Sequence, residues 1–240
     1  MQSHNLIVAR RRSSRRAWLI ATSALAGALA FASVAEATPA GGVVVAGAAT
    51  IDGNAPGSVM INQTTPNAVI NWQSFNIGAG ESVRFVQPDA HSVALNRVLG
   101  PDPTTILGRL SANGQVFLVN PNGVMFGPTA QVNVGGLVAS TLQIKDADAM
   151  AGRYRFFGAG PGSVTNQGSI VADGGSVALM GGHVSNQGVI SARLGAVSLA
   201  AGNAMTLDVA GDGLLNVSID EGALDALAEN GGLIRADGGR

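Results

Sequence analysis

Cysteine is missing from this chain, lysine occurs once, and aromatic and charged residues are few. Without cysteine the protein can form no disulfide, no thiolate metal site and no thiol nucleophile. Only 12% of the 240 residues are charged and 4% are aromatic, and the charged fraction is about half the usual quarter. The 34 glycines and the 46% of hydrophobic residues argue against a helical bundle, an unfolded chain and a nucleic-acid-binding domain. We expect instead stacked β-strands joined by tight corners.

Residues that could carry catalysis or hold a metal are also scarce and scattered. Polysaccharide lyases and hydrolases need clustered carboxylates, or calcium-binding carboxylates beside a basic side chain. Acidic side chains are dispersed here, and their only dense stretch, residues 208–229, alternates with apolar residues. His91 and His183 lack the spacing of metal ligands, and we expect each to be a surface or corner residue. The sequence therefore predicts a protein that is not an enzyme and binds no metal or cofactor.

The first 37 residues have the pattern of a signal peptide. A basic segment with five arginines, residues 10–16, precedes an apolar run that starts at Ala17 and ends at the small-residue cleavage pattern Ala35-Glu36-Ala37. Polar and glycine residues interrupt the run, which disfavours the alternative of a membrane-spanning helix. We therefore predict a signal peptide over residues 1–37, a mature domain over residues 38–240, and no integral membrane segment after cleavage.

Cleavage would make the protein acidic. Residues 1–37 hold five of the 14 basic residues and one of the 15 acidic residues, so the mature chain keeps nine basic and fourteen acidic side chains. A net charge near −5 repels phosphate backbones and anionic lipid. Binding to nucleic acid or to a membrane surface is therefore not expected.

An internal repeat predicts the fold. The segment that begins Asn166-Gln167-Gly168 matches the segment that begins Asn186-Gln187-Gly188 at an offset of 20 residues, and a third copy begins at Asn230. Each copy contains two short alternating strands separated by glycine pairs. Such strands cannot bury a core alone, but they can stack as coils. We predict an all-β protein, a right-handed parallel β-helix with an N-terminal cap and short extra-helical strands.

The period also predicts details of the β-helix. About ten coils at roughly 4.8 Å each would give a rod on the order of 50 Å long, if every segment joined the stack. Asn166 and Asn186 should stack as a hydrogen-bonded ladder at one corner. The third copy stops at Arg240 in mid-repeat, so we expect the chain to be the front of a longer protein or a shortened product.

Segments outside the repeat are expected to cap or cover the stack. Residues 43–45 and 58–61 read as short strands that cap the first coil, and residues 145–151 form a short helix or turn. Residues 153–157 alternate basic and aromatic side chains, which leaves two alternatives. The segment is either a contact strand for a partner, or an extra strand on a coil with Tyr154 and Phe156 packed and the arginines in solvent.

The most informative local motif is Asn120-Pro121-Asn122-Gly123, which lies between two apolar, β-prone runs. Pro121 fixes φ, Gly123 can take a positive φ without a steric cost, and Asn122 tolerates the left-handed region and can bond its own backbone. These four residues therefore predict a tight turn between two strands.

In this context the chain resembles the amino-terminal domain of filamentous haemagglutinins, the two-partner secretion domain, and within it the branch of high-molecular-weight adhesins and large exoproteins. The motif matches the family's Asn-Pro-Asn-Gly-Ile with Val124 in place of Ile, whereas a second family motif, Asn-Pro-Asn-Leu, is absent. The other matching segments are 70–72, 74–77, 83–85, 95–98, 106–108, 114–127, 133–141 and the two Asn-Gln-Gly coils.

The resemblance implies a secretion-targeting function. Such a domain is recognised by the periplasmic domains of a cognate outer-membrane transporter of a Gram-negative bacterium, and folds at the cell surface or in the extracellular space, here in the service of an adhesin. Asn120, Pro121, Asn122 and Gly123 would then shape a coil turn or contact the transporter. Because transport needs an unfolded chain, we expect the general secretory route, although Ser14-Arg15-Arg16 is typical of a twin-arginine signal for folded cargo.

The alternative hypothesis is a freestanding adhesive module that binds a host surface ligand, haem or a glycan. Such a site should leave an exposed aromatic patch. The chain has only ten aromatic residues, and Trp72, Phe75, Phe85 and Phe117 lie in runs that we expect to be buried.

Overall fold

The computed structural model describes residues 38–158, 160–209 and 215–238. The predicted signal peptide therefore lies outside the described residues. Within them, no helix is long and apolar enough to cross a membrane.

The described chain consists of short strands and one helical turn. The strands of the first half are β1 Val43–Ala46, β2 Ala49–Ala55, β3 Ser58–Gln63, β4 Asn67–Trp72, β5 Ser82–Val86, β6 Val93–Val98, β7 Thr104–Ile106, β8 Arg109–Ala112, β9 Gln115–Val119 and β10 Val124–Phe126. There follow β11 Gln131–Asn133, β12 Gly136–Ser140, β13 Gln143–Ile144, α1 Asp146–Met150, β14 Tyr154–Phe157, β15 Ser163–Asn166, β16 Ser169–Val171 and β17 Val177–Gly181. The last elements are β18 His183–Asn186, β19 Val189–Ser191, β20 Val197–Ala201, β21 Ala204–Val209, β22 Leu215–Glu221, β23 Leu227–Asn230 and β24 Leu233–Arg235.

These strands form a parallel β-helix with three faces, as in the predicted fold class. The first face has the order β1-β4-β6-β9-β12-β17-β20, the second face β23-β18-β15-β10-β7, and the third face β2-β3-β5-β8-β11-β16-β19-β24. Within each face, strands of successive coils pair in parallel, for example Val177 with Val197 and Ile170 with Ile190. The chain thus turns from face to face and returns one coil higher.

Two predicted numbers, the strands in each coil and the coils in the stack, were wrong. From β6 onward each coil contributes three strands rather than two, whereas the coil that begins with β4 has only the isolated bridge of Ile77 to Ile106 on the second face. The second-face strands are only three or four residues long, so the repeat did not separate them from their neighbours. The stack has six coils on its first face, β4, β6, β9, β12, β17 and β20, rather than ten. The early coils are longer than 20 residues, as the pairing of Asn67 with Val93 shows, and the cap and the extra-helical strands use further residues.

The interior is filled by the inward side chains of all three faces. Trp72, Phe75, Phe85 and Phe126 are at most 1% exposed, and Trp72 and Phe75 pack edge to face with ring centroids 5.3 Å apart. The indole N–H of Trp72 donates to Oδ1 of the buried Asn96 at 2.9 Å. This bond supplies the partner that a buried tryptophan requires.

The predicted asparagine ladder is confirmed. Nδ2 of Asn166 donates to Oδ1 of Asn186 at 2.8 Å, and Nδ2 of Asn186 donates to Oδ1 of Asn230 at 2.7 Å. Asn166 and Asn186 are fully buried, so each amide satisfies its neighbour in the place of water. The third copy therefore stacks in register although 44 residues separate Asn230 from Asn186.

The first coil is capped by antiparallel strands. β1 pairs antiparallel with β4, and β2 pairs antiparallel with β3. The expectation that residues 58–61 belong to the cap was incomplete, because β3 also pairs in parallel with β5 and is itself part of the third face. Asn76 protects the edge of the second face, since its Oδ1 accepts from the Thr105 N–H at 2.8 Å.

A fourth sheet, which we call the cover sheet, lies on the outward side of the first face. It has the order β13-β14-β21-β22 with antiparallel pairing throughout. Tyr154 and Phe156 of β14 are buried, whereas Arg153 and Arg155 are exposed. Residues 153–157 are therefore an extra strand on the coil, the second of the two alternatives, and α1 is the short helix expected over residues 145–151.

One corner of the stack contains a strained leucine. Leu194 has φ +61 and lies one coil from Gly174 and Gly238, which have φ +81 and +76. A non-glycine residue in this region costs roughly 1–2 kcal/mol. Replacement by glycine removes this strain, but glycine loses more conformational entropy on folding, which partly offsets the gain. Because Leu194 is 63% exposed, little packing would be lost with its side chain.

We therefore expect Leu194→Gly to raise the free energy of unfolding by about 1 kcal/mol, measured by urea denaturation. Leu224→Gly is the matched control, because Leu224 is 95% exposed and does not have a positive φ. A loss of stability in Leu194→Gly as large as that in the control would show that φ at Leu194 is not strained.

The cover sheet also provides a titration probe. Tyr154 is the only tyrosine of the chain, and burial raises its pKa above the ordinary value of 10.0. Because the folded state favours the neutral phenol, this contribution to stability is fully present below pH 10 and is lost as the pH rises through the folded-state pKa. We expect tyrosinate absorbance to titrate above pH 10 in the native protein and near pH 10 in urea; an ordinary pKa in the native protein would mean that β14 is not packed.

Candidate functional site

The segment from Asn120 to Gly123 forms the corner between the first and second faces of the β-helix. β9 ends at Val119 and β10 begins at Val124, so the four residues turn the chain between two strands, as predicted. The Gly123 N–H donates to the Asn120 carbonyl at 3.0 Å and closes the turn. Gly123 has φ +120, a value that strongly favours glycine.

Asn120 is the centre of the corner. Its side chain is fully buried, and its Nδ2 donates to the Asp102 carbonyl and to Oγ1 of Thr104, both at 3.0 Å. Its Oδ1 accepts from the Asn122 N–H at 3.0 Å. The three bonds join the turn to the preceding coil and hold its own backbone, so the amide acts as an internal clamp.

Asn122 does not act as expected from the sequence. It does not have a positive φ, and its Nδ2 donates to the Gly100 carbonyl at 3.1 Å rather than to its own backbone. The local side-chain bond that turn chemistry predicts is made by Asn120 instead. Asn122 therefore fixes the turn to the coil below it.

The following coil closes over the corner at two glycines that sequence reasoning missed. A Cβ on Gly160 would lie 2.4 Å from the Pro121 carbonyl oxygen, and a Cβ on Gly162 would lie 2.3 Å from the Asn122 carbonyl carbon. The Gly162 N–H donates to the Pro121 carbonyl at 3.1 Å. The cluster of glycine and proline at residues 158–162 was the available signal, since close backbone approach requires glycine.

The burial of the corner limits what it can do in the folded protein. Asn120 is fully buried and Gly123 is also buried, whereas Pro121 and Asn122 are partly exposed. A partner could therefore contact Asn120 only before the β-helix forms. After folding, the accessible part is a shallow groove lined by Asn122, Met125, Pro161 and neighbouring residues of the second face.

The other polar residues that were candidates in the sequence are dispersed in the described part of the chain. His91 and His183 are exposed, as expected, and the described residues contain no group of three or more His, Cys, Asp and Glu that could hold a metal. The Asp89 carboxylate accepts from the Ser92 hydroxyl at 3.0 Å and from the His91 N–H at 2.9 Å. These bonds hold the pKa of Asp89 below its ordinary value and form a turn of the backbone.

Comparison with known proteins agrees with this architecture. The model of the TPS secretion domain family matches residues 35–240. The crystal structure of the HMW1 secretion domain from Haemophilus influenzae is 37% identical, with a TM-score of 0.76 over 84% of this chain and 54% of that chain. The filamentous haemagglutinin secretion domain shares the fold at 14% identity, with a TM-score of 0.55 over 80% of this chain and 73% of that chain.

Two longer relatives are proteins of Haemophilus influenzae named heme/hemopexin-binding protein. They are 47% identical over 109 residues and 41% identical over 112 residues. These matches cover 45% and 47% of this chain but only 12% of either relative. The similarity to these proteins thus concerns a small part of their length.

The family and the fold are those of a secretion domain rather than of an enzyme. Proteins with this domain are exoproteins that cross the outer membrane by two-partner secretion, which implies recognition by a transporter partner. From the match over residues 35–240, the chain belongs to the TPS secretion domain family.

Proposed function

We propose that residues 1–37 are a signal peptide and that residues 38–240 carry the exoprotein from the periplasm to its outer-membrane transporter. The chain would reach the periplasm unfolded by the general secretory route and be bound by the periplasmic domains of the transporter. It would then fold at the cell surface or in the extracellular space. The observation that carries the proposal is the family match over residues 35–240.

Strand addition is the mode of recognition that this chain favours. Most coils supply three short strands that need backbone partners, and in an unfolded chain these segments are unpaired. An extended segment can add to the edge of a sheet of the transporter through main-chain hydrogen bonds. The mature chain carries a net charge near −5, so a positively charged face on those domains would assist the encounter.

Folding outside the cell would make transport directional. Native domains are typically stable by about 5–15 kcal/mol, and a folded β-helix cannot return through a path that admits an extended chain. The corner at Asn120–Gly123 contributes to this step through its bonds between coils. Before folding, the same residues are accessible and can contact the transporter directly.

The proposal is tested by deleting the cognate transporter gene in the native host, or by expressing the chain with and without that gene. We expect the domain in the medium or in a protease-accessible form on intact cells only when the transporter is present. Without it, the chain should remain in the periplasm and be degraded. Equal export in both strains would contradict the proposal.

A second candidate function is binding of haem or a host ligand by the domain itself. The names of the two heme/hemopexin-binding relatives favour it. Among the aromatic residues of the described chain, however, Phe157 alone is exposed, at 41%, so the aromatic patch that such a site needs is missing there.

We propose that ligand binding belongs to other parts of those relatives and that this domain serves an adhesin or a similar exoprotein. Titration of purified residues 38–240 with haemin should give no saturable change in the haem absorbance spectrum.

A further inference from the structure

The outward side of the first face is apolar although it points away from the interior of the β-helix. Val69, Leu95, Phe117, Val138 and Ala178 are register partners on successive coils. Each is at most 1% exposed. A contiguous apolar surface of this kind must be covered in a stable monomer. The cover sheet provides that protection.

The cover sheet is assembled from two segments that are distant in sequence. The first segment contains β13, α1 and β14, and it places Tyr154 and Phe156 beside Phe117, with ring centroids 4.9 and 6.4 Å apart. The second segment consists of the antiparallel strands β21 and β22, residues 204–209 and 215–221, and is called here the closing hairpin. It adds Met205 and Leu207, which are 0% and 3% exposed. Both segments are therefore needed to bury the apolar side.

The first segment is fixed at one end but depends on the closing hairpin at the other. Arg97 of β6 holds the start of this segment, because its guanidinium donates to the Ile144 carbonyl at 2.6 Å and lies 2.6 Å from Oδ1 of Asp146. β14, in contrast, pairs with β13 at only two positions and with β21 at four. Without β21, β14 would be an edge strand with a two-residue partner, which is a weak arrangement in water.

The closing hairpin arrives late in chain order. Two complete coils, β15 to β20, separate β14 from β21, and the pairing of Tyr154 with Leu207 spans them. Within the hairpin, β21 and β22 pair at six positions, and the Thr206 hydroxyl donates to the Asp220 carboxylate at 2.6 Å. The hairpin can therefore form locally and then dock as a unit. Docking of such non-local pairs is the slow type of folding event.

We propose that the closing hairpin is a folding latch, whose docking on β14 commits the whole β-helix to its folded state. Until β21 and β22 are available, the apolar side of the first face stays uncovered and the preceding coils do not become stable. If the proposed function holds, the late position of the latch in the chain delays folding. The chain then stays extended, and so competent for export, until most of the domain has passed the transporter. The commitment step itself is a property of this chain and does not require the transporter.

The test is refolding of residues 38–240 from urea, observed at two distant probes. Trp72, the only tryptophan after residue 37, reports on the core of the first coil, and Tyr154 reports on the cover sheet. We expect Leu207→Ser to slow the recovery of Trp72 fluorescence about tenfold or to prevent it, because the latch is then weakened. Leu224→Ser makes the same chemical change at a residue that is 95% exposed and should refold as the unmodified chain does. Recovery of Trp72 at the unmodified rate in Leu207→Ser, while Tyr154 titrates with an ordinary pKa, would overturn the proposal.

If Leu207→Ser does not fold, a designed disulfide between β14 and β21 tests the latch proposal instead. Arg155 and Thr206 are register partners on β14 and β21, and the chain has no cysteine of its own, so the pair Arg155→Cys and Thr206→Cys can form one defined disulfide. We expect the oxidised protein to recover Trp72 fluorescence about tenfold faster than its reduced form, because latch docking is then already complete. The pair Thr165→Cys and Ser185→Cys, which joins β15 to β18, is the control and should accelerate refolding far less. Equal rates for the oxidised and reduced latch pair would overturn the proposal.

Experiments in cells distinguish evidence against the latch proposal from evidence against the proposed function. In cells, Leu207→Ser should still leave the periplasm in a transporter-dependent manner, but it should reach the surface in a protease-sensitive form. A loss of transporter dependence in the unmodified protein would count against the proposed function alone. Protease resistance of the exported Leu207→Ser protein equal to that of the unmodified protein would count against the latch alone.

Discussion

Replacing Asn120 with alanine is expected to lower the free energy of unfolding by about 3 kcal/mol. The change removes two donated bonds and one accepted bond from a fully buried amide. It also takes a donor from Oγ1 of Thr104, which is 1% exposed and is not freely reached by water. Each such loss costs more than the net value of a hydrogen bond at the surface.

The measurement is urea denaturation of residues 38–240 followed by Trp72 fluorescence. Asn122→Ala is the matched comparison in the same turn, because Asn122 is partly exposed and makes one side-chain bond, to Gly100. It should cost about 1 kcal/mol. Equal costs for the two variants would show that Asn120 is not the clamp of the corner. In cells we expect Asn120→Ala to abolish the appearance of the protein at the surface. Normal secretion of both variants would show that the motif is not needed for export.

The second large effect is expected at a column of glycines where successive coils nearly touch. A Cβ on Gly175 would lie 1.6 Å from the Gly135 carbonyl oxygen, and a Cβ on Gly195 would lie 1.8 Å from the Gly175 carbonyl oxygen. The obstacle is backbone rather than a flexible side chain, so the coils must separate locally. Gly175→Ala should therefore cost about 3 kcal/mol or more, at the upper end of overpacking effects.

Gly182→Ala provides the control for this column. Gly182 belongs to the same pair of coils, but a Cβ there would meet nothing within 4 Å and its φ is not positive. We expect this variant to lie within about 0.5 kcal/mol of the unmodified protein. Comparable thermal midpoints for Gly175→Ala and Gly182→Ala would contradict the close approach of the coils at Gly135, Gly175 and Gly195.

The sequence predicted those features that repeat or that depend on local backbone chemistry. The 20-residue offset between Asn166 and Asn186 was sufficient to predict both the stacking and the amide ladder. The turn at Asn120–Gly123 was predictable because Pro121 and Gly123 restrict the backbone locally. The aromatic alternation of residues 153–157 likewise indicated which side chains of β14 are buried.

Features that depend on partners far away in sequence were not predictable. The bond from Asn122 reaches Gly100 in the coil below, and no local pattern indicates that partner. The same holds for β21, which pairs with β14 across two complete coils. The number of coils was overestimated because the repeat gives their spacing but not the residues used by the cap and the cover sheet.

The Asn120–Gly123 motif is accessible in an unfolded chain, whereas Asn120 and Gly123 are buried in the folded domain. The transporter should recognise residues 38–240 before they fold and should release them once the β-helix has formed. This behaviour differs from that of an ordinary docking interface, in which the folded surface is the ligand.

The most direct measurement compares the affinity of the purified periplasmic domains of the cognate transporter for the folded domain and for Gly175→Ala under conditions in which that variant is unfolded. We predict saturable binding of the unfolded chain and at least tenfold weaker binding of the folded domain, a difference of about 1.4 kcal/mol or more. Binding of the folded domain that equals or exceeds binding of the unfolded chain would contradict the account.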